Sequence, residues 1–157
     1  MAKKTFNEKL HHAGDLPKVE EVTDPKAIAR FGGVKMAIAP PLDYDEIMRR
    51  IPKGQLTTVA DIRKALAQKY HADYTCQLTA GIFVNIAANA AHERQNQGSK
   101  DITPYWRTLK KDGELNEKYP DGIEGQKALL EAEGHEVIQK GKRSFVKNYA
   151  AKMAELS

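Results

Sequence analysis

Between Tyr44 and Glu93 the chain carries three apolar-periodic segments separated by two short breaks, and that spacing leaves few ways to fold. Tyr44, Ile47, Met48 and Ile51 recur at i, i+3, i+4 and i+7, the interval that places side chains on one face of a helix. Pro52 ends this segment, because it lacks an amide donor and clashes with the preceding turn, and Pro52-Lys53-Gly54-Gln55 reads as a turn. Thr58 is placed to cap a second helix, with Asp61 in its first turn and Val59, Ile62 and Leu66 facing inward. A third helix is expected from Thr75 to Glu93, with Leu78, Ile82, Phe83, Ile86, Ala87 and Ala90 as its apolar stripe. Two helices joined by the short connector His71–Tyr74, after a preceding helix, match a helix-turn-helix.

Downstream, a polar loop from Arg94 to Asp101 leads into Thr103–Leu109, which reads as a strand. Asp112-Gly113 reads as a tight turn and Glu114–Asn116 as a short return, so a β-hairpin wing is expected there. A fourth helix over about 123–133 stops at Gly134, a suitable left-handed cap. Phe145, Val146, Tyr149, Met153 and Leu156 predict a final amphipathic helix. The first 41 residues mix basic and acidic positions with Pro17, Pro25, Gly32-Gly33 and Pro40-Pro41; they read as a loosely attached arm, with a short helix at about 24–31 capped by Asp24. The expected fold class is therefore mostly α: a winged helix-turn-helix, that is, a three-helix bundle with a small β-hairpin wing. Its domains are an N-terminal arm (1–41), the winged helix (42–143) and a C-terminal amphipathic helix (144–157).

Composition narrows the function classes. A length of 157 residues suits one domain, and 41% apolar residues suffice for a modest core. A net charge of +4 is compatible with an acidic partner without demanding one. The single cysteine, Cys76, excludes an internal disulfide and a Cys-based zinc site, and fits a reducing cytoplasm. The N-terminus has no apolar stretch of the kind a secretory signal needs, and no segment is long and apolar enough to span a membrane. The five histidines lack metal-ligand spacing and read as surface residues, so neither a metal nor a cofactor is expected. Cys76 sits where a helix N-terminus lowers a thiol pKa, yet no base neighbours it in sequence; a small buried hydrophobe is the simpler reading.

Two blocks carry a resemblance to a known family. The first is Ile51-Pro52-Lys53-Gly54-Gln55-Leu56-Thr57-Thr58. The second runs from Thr103 to Gly134, where Pro104, Arg107, Asp112-Gly113, Leu129, Leu130, Glu133 and Gly134 keep a recognisable frame. In order, and separated by a helix containing Ala80-Gly81, these blocks resemble the DNA-binding half of the O6-alkylguanine-DNA alkyltransferases. The match runs from Tyr44 to about Val137. The family's N-terminal α/β half is absent, as it is from the small alkyltransferase-like proteins.

The resemblance implies a reactive Cys, a His that activates it and a Glu that orients the His. At those positions stand Tyr105, Trp106 and Glu133. A phenol with an ordinary pKa near 10 is a poor nucleophile, and indole cannot act as a base. The expectation is a non-catalytic protein that binds double-stranded DNA through the minor groove, alkylated duplex included, with a repair protein as further partner and the chain itself a monomer. By the same resemblance Thr75, Gln77, Thr79, Ala80, Gly81, Arg107, Lys110 and Lys111 contact DNA, while Tyr105, Trp106 and Val59 line a lesion pocket. Gln77 falls where the family has an arginine finger, and Val59 where it has a Tyr that rotates the phosphate. The third helix carries no Lys or Arg before Arg94, so a regulatory or protein-interaction module without DNA binding is the alternative. An active methyltransferase-type repair protein is the least favoured reading.

Overall fold

The computed structural model describes residues 5–156. Its centre is the helix α5 (Gln77–Asn96), which at about 1.5 Å per residue is roughly 30 Å long. Around it pack α1 (Phe6–Leu10), α3 (Pro41–Arg49) and α4 (Val59–Lys69). The inward face of α5 is made of Ala80, Val84, Ala87, Ala88 and Ala91, all fully buried. Small side chains let Leu10, Tyr44, Ile47, Met48, Ile62 and Leu66 close on the helix from three directions. The stripe expected from residue size is thus rotated: Leu78 and Ile82 are outside, at 74% and 47% exposure. Alanines define the core face because close helix–helix approach, rather than side-chain volume, sets the packing there.

The helix starts and stops follow local chemistry. Thr58 caps α4 by accepting from the Asp61 amide at 3.2 Å. On α2 (Pro25–Phe31), Asp24 accepts from the Lys26 amide and Pro25 occupies the first turn. The last helix, α6 (Gly122–Ala132), ends in a Schellman turn: Gly134, at φ +91°, donates to Glu131, and His135 donates to Leu130.

Residues 6–38 are not a loose arm. Leu10 is fully buried, and Glu93 of α5 accepts from the Phe6 and Asn7 amides at 2.9 and 3.0 Å, capping α1 from outside. β1 (Lys18–Glu21) pairs antiparallel with β2 (Lys35–Ile38), and β2 pairs parallel with β4 (Tyr74–Thr75) just ahead of α5. Composition alone missed this, because the order is supplied by partners about 40 to 90 residues away.

Two further elements differ from expectation. Segment 103–116 is not a β-hairpin: Tyr105–Arg107 forms a 3-10 turn, and β5 (Thr108–Leu109) pairs parallel with β3 (Thr57–Thr58). Its own turn at Lys111–Gly113 folds Leu115 back, so that the Leu115 amide donates to Ser144. Nor is there an α-helix from 144 onward among the described residues. Instead β6 (Val137–Lys140) and β7 (Arg143–Val146) form a hairpin, followed by a 3-10 turn at Tyr149–Lys152. Gly141 at φ +63° opens a two-residue hairpin turn, and Asn148 at φ +58° breaks any helix before it begins. Val146 then joins Leu56, Leu109, Leu115 and Leu130 in a second, smaller core beneath Trp106.

Candidate nucleic-acid interface

Tyr105, Trp106 and Glu133 are brought together by two local devices. The Thr103 hydroxyl donates to Asp45 of α3 at 2.6 Å and fixes the chain ahead of Pro104, which opens the 3-10 turn. The Schellman turn at Gly134 sets Glu133 at the end of α6. The Trp106 indole then donates to Glu133 at 3.1 Å. Arg107 donates to the same carboxylate at 3.0 Å through Nε and 2.7 Å through Nη2, and its other arm reaches the Ile51 carbonyl at 2.7 Å. The Gly54 amide supplies a further donor at 3.4 Å. Burial alone would raise the Glu133 carboxyl, but donation from Arg107 and Trp106 outweighs it and holds the group below the usual carboxylate range.

Tyr105 is 4% exposed. Its ring meets Trp106 and Tyr119 edge-on, both with centroids 5.3 Å away, and the Tyr119 hydroxyl donates to the Thr108 carbonyl at 2.9 Å. Burial, with some help from the Asp121 charge, pushes the Tyr105 phenol above its ordinary value. The phenol is thus further from ionisation than a free tyrosine, and the indole of Trp106 has only an N–H to offer, already given to Glu133.

Other expected site residues divide sharply. Thr75 and Ala80 are buried, at 1% and 0% exposure, and do not face solvent. Thr75 belongs to β4, and its hydroxyl donates to the Arg63 carbonyl at 2.7 Å while Arg63 Nε donates back at 3.3 Å. Arg107 is committed to Glu133, both side chains nearly buried, so it presents no charge to a phosphate. Trp106 bridges the two cores and Tyr105 fills its space, so these two and Val59 do not form one open pocket.

What remains lines a groove of about 490 Å³ between α4, α5 and the segment 110–118. Gln77, Leu78, Gly81, Ile82 and Asn85 form one stripe of α5 along it, with Val59 at one end. Thr79 lies beside this stripe, half-buried. Arg63 stands on one bank; Lys110, Lys111 and Lys118 stand on the other, with Glu117 the one carboxylate in the lining. Lys110 is drawn to Glu117 at 3.3 Å and Glu114 at 4.0 Å, whereas Lys111 and Lys118 are exposed and make no ion pair among the described residues. Leu78, Ile82, Asn85 and Lys118 were not anticipated as site residues. The alanine register of α5 was the signal that could have turned Leu78 and Ile82 outward.

Cys76 precedes the first turn of α5 and is half-buried, and its thiol makes no hydrogen bond among the described residues. His135 is buried beside Glu133, contrary to its expected surface position; burial pushes its pKa down, and Nε2 has no hydrogen-bond partner among the described residues. No group of three or more potential metal ligands occurs among the described residues, and no helix there is long and apolar enough to cross a membrane.

Among the described residues the fold is a helical bundle closed around α5, with three small sheets at its margins. Two crystal structures of proteins from S. pombe share it. One is Atl1 in complex with damaged DNA containing O6-carboxymethylguanine, with a TM-score of 0.50 and 19% identity. The other is ATL in complex with DNA, with a TM-score of 0.51 and 18% identity. Each similarity covers 73% of this chain and 94% of the other. No protein-family model and no curated protein sequence matches the chain.

Proposed function

We propose that this chain is a non-catalytic, alkyltransferase-like DNA-binding protein, a cytoplasmic monomer that engages the minor groove of duplex DNA. In this reading α4 and α5 act as the helix-turn-helix, and segment 108–118 serves as the wing although it is not a hairpin. The observation that carries it is the groove along Gln77, Leu78, Gly81, Ile82 and Asn85, with cations on both banks and only Glu117 against them. An uncharged helix face between basic flanks suits a narrow groove walled by two phosphate strands. The DNA complexes of the structurally similar S. pombe proteins support the same partner. Alkyl transfer is left out because the Tyr105–Trp106 pair has neither nucleophile nor base. A role in repair then requires a partner protein that acts on the marked site.

The exposure of Leu78 and Ile82 favours a second reading, in which the same face docks a protein. Gel shifts on duplexes with and without O6-methylguanine, run at two salt concentrations, separate the two. A DNA-binding face gives a shift that weakens steeply with salt, by about 0.9 in log–log slope for each phosphate contact. Absence of a shift at low salt would leave the protein-docking reading.

A further inference from the structure

Leu78 is the most exposed large apolar side chain among the described residues. Single exposed leucines are ordinary, so position has to make the case. Leu78 stands in the first turn of α5, with Gln77 beside it and Ile82 one turn on. At Gly81, between them, a Cβ would meet nothing within 4 Å, so the helix backbone itself lies open to close approach. The opposite face of the helix is held by its alanines, so the core gains nothing from a leucine at 78. This apolar edge borders the groove whose lining holds Arg63, Lys110, Lys111 and Lys118 against Glu117 alone. An apolar protein partner seated there would take Arg63, Lys111 and Lys118 out of water without pairing them, at considerable cost. Two phosphate strands flanking a narrow groove would pair them from both banks.

We infer that Leu78 is a wedge. It enters the base stack from the minor groove, with Ile82 behind it, so that bound duplex is kinked and unstacked at one step while no base is extruded into the protein. The inference rests on the DNA-binding reading above and adds the means of engagement. Extrusion is disfavoured because Tyr105 is 4% exposed and closed in by Trp106 and Tyr119, which leaves no room beside it for a base. Gln77 has no charge with which to hold an orphaned partner. Branched apolar side chains, by contrast, part base steps in many minor-groove binders, and the unstacking is offset by the contacts that bent DNA makes.

The test uses a short duplex with O6-methylguanine at its centre, 2-aminopurine as the adjacent base and a dye pair at its ends. Anisotropy reports affinity, 2-aminopurine fluorescence reports unstacking, and energy transfer reports bending. Wild type should bind, brighten the 2-aminopurine and shorten the end-to-end distance. Leu78→Ala should bind about ten-fold or more weakly, with neither optical change, and with an unaltered salt slope because every phosphate contact remains. Leu78→Met, which keeps an apolar side chain of similar reach, should retain both signals. Leu78 lies outside the core, so these variants should fold as wild type does. Wild type that fails to bind would remove the DNA-binding reading and the wedge with it. Wild type that binds without brightening or bending, or a Leu78→Ala protein that bends DNA as well as wild type, would overturn the wedge and leave DNA binding intact.

Discussion

Replacing Tyr105 by Ala separates a side chain that fills space from one that receives a base. The ring is 4% exposed and wedged edge-on between Trp106 and Tyr119. Truncating a buried aromatic to alanine costs about 3–5 kcal/mol, including roughly 0.5–1.5 kcal/mol for each edge-to-face aromatic pair that is broken. For a chain of this length each kcal/mol lowers the melting temperature by about 2–4 °C, so a drop of roughly 6–20 °C is expected. Tyr105→Phe isolates the hydroxyl, which makes no hydrogen bond to any described residue, and should stay within about 1 kcal/mol of wild type. Thermal melts by circular dichroism give the first quantity. Anisotropy titration at 15 °C, against duplex with and without O6-methylguanine, gives the second and should show affinity changed by less than about two-fold. A base-stacking platform predicts the opposite pattern, because stacking is worth roughly 1–3 kcal/mol per base. A Tyr105→Ala protein with wild-type melting but ten-fold weaker binding to alkylated duplex would refute the space-filling argument.

Glu133→Ala should be among the most destabilising substitutions, by about 3–5 kcal/mol, because it leaves the Arg107 guanidinium buried and unpaired; a melt within 2 °C of wild type would contradict this. In acid, Glu133, Glu93, Glu114 and Asp101 all have carboxyls held below their ordinary range in the fold, so their contribution is present above the unfolded values near 4 and is lost as pH falls through the folded ones. The melting temperature should therefore begin to fall below about pH 6.5, where His135, its pKa lowered by burial in the fold, is protonated more readily in the unfolded chain; it should fall further below about pH 4, and Glu93→Gln should flatten that lower part. Duplex labelled at the methyl of O6-methylguanine should transfer no label; labelling that disappears in Cys76→Ala would expose a displaced nucleophile. Lys111→Ala and Lys118→Ala should each flatten the salt dependence of DNA binding by about 0.9, while Arg107→Ala, whose guanidinium is already committed to Glu133, should leave it unchanged.

Much of the helical frame is legible in residue order. Pro52 after Ile51, Thr58 three residues ahead of Asp61, Asp24 before Pro25 and Gly134 after the α6 apolar run each act within one or two turns of chain. Their effects do not depend on what packs against them. That Tyr105 and Trp106 offer neither a thiol nor an imidazole is equally readable, since side-chain chemistry does not wait on the fold.

The remaining features arise from contacts distant in sequence. Alanines in α5 mark the buried face only because α1, α3 and α4 converge on it, and that convergence is what leaves Leu78 and Ile82 at the surface. Arg107 looks like a phosphate contact until Glu133, 26 residues on, is seen to hold it. Phe145 and Val146 have an apolar spacing that suits a helix, but the turn at Gly141 and the pairing with Val137 and Ile138 make them a strand. A short apolar run is ambiguous between helix and strand, and an exposed cation between phosphate and carboxylate. Local propensities of a few tenths of a kcal/mol cannot resolve either, because burial and charge pairing across the fold are worth several times more.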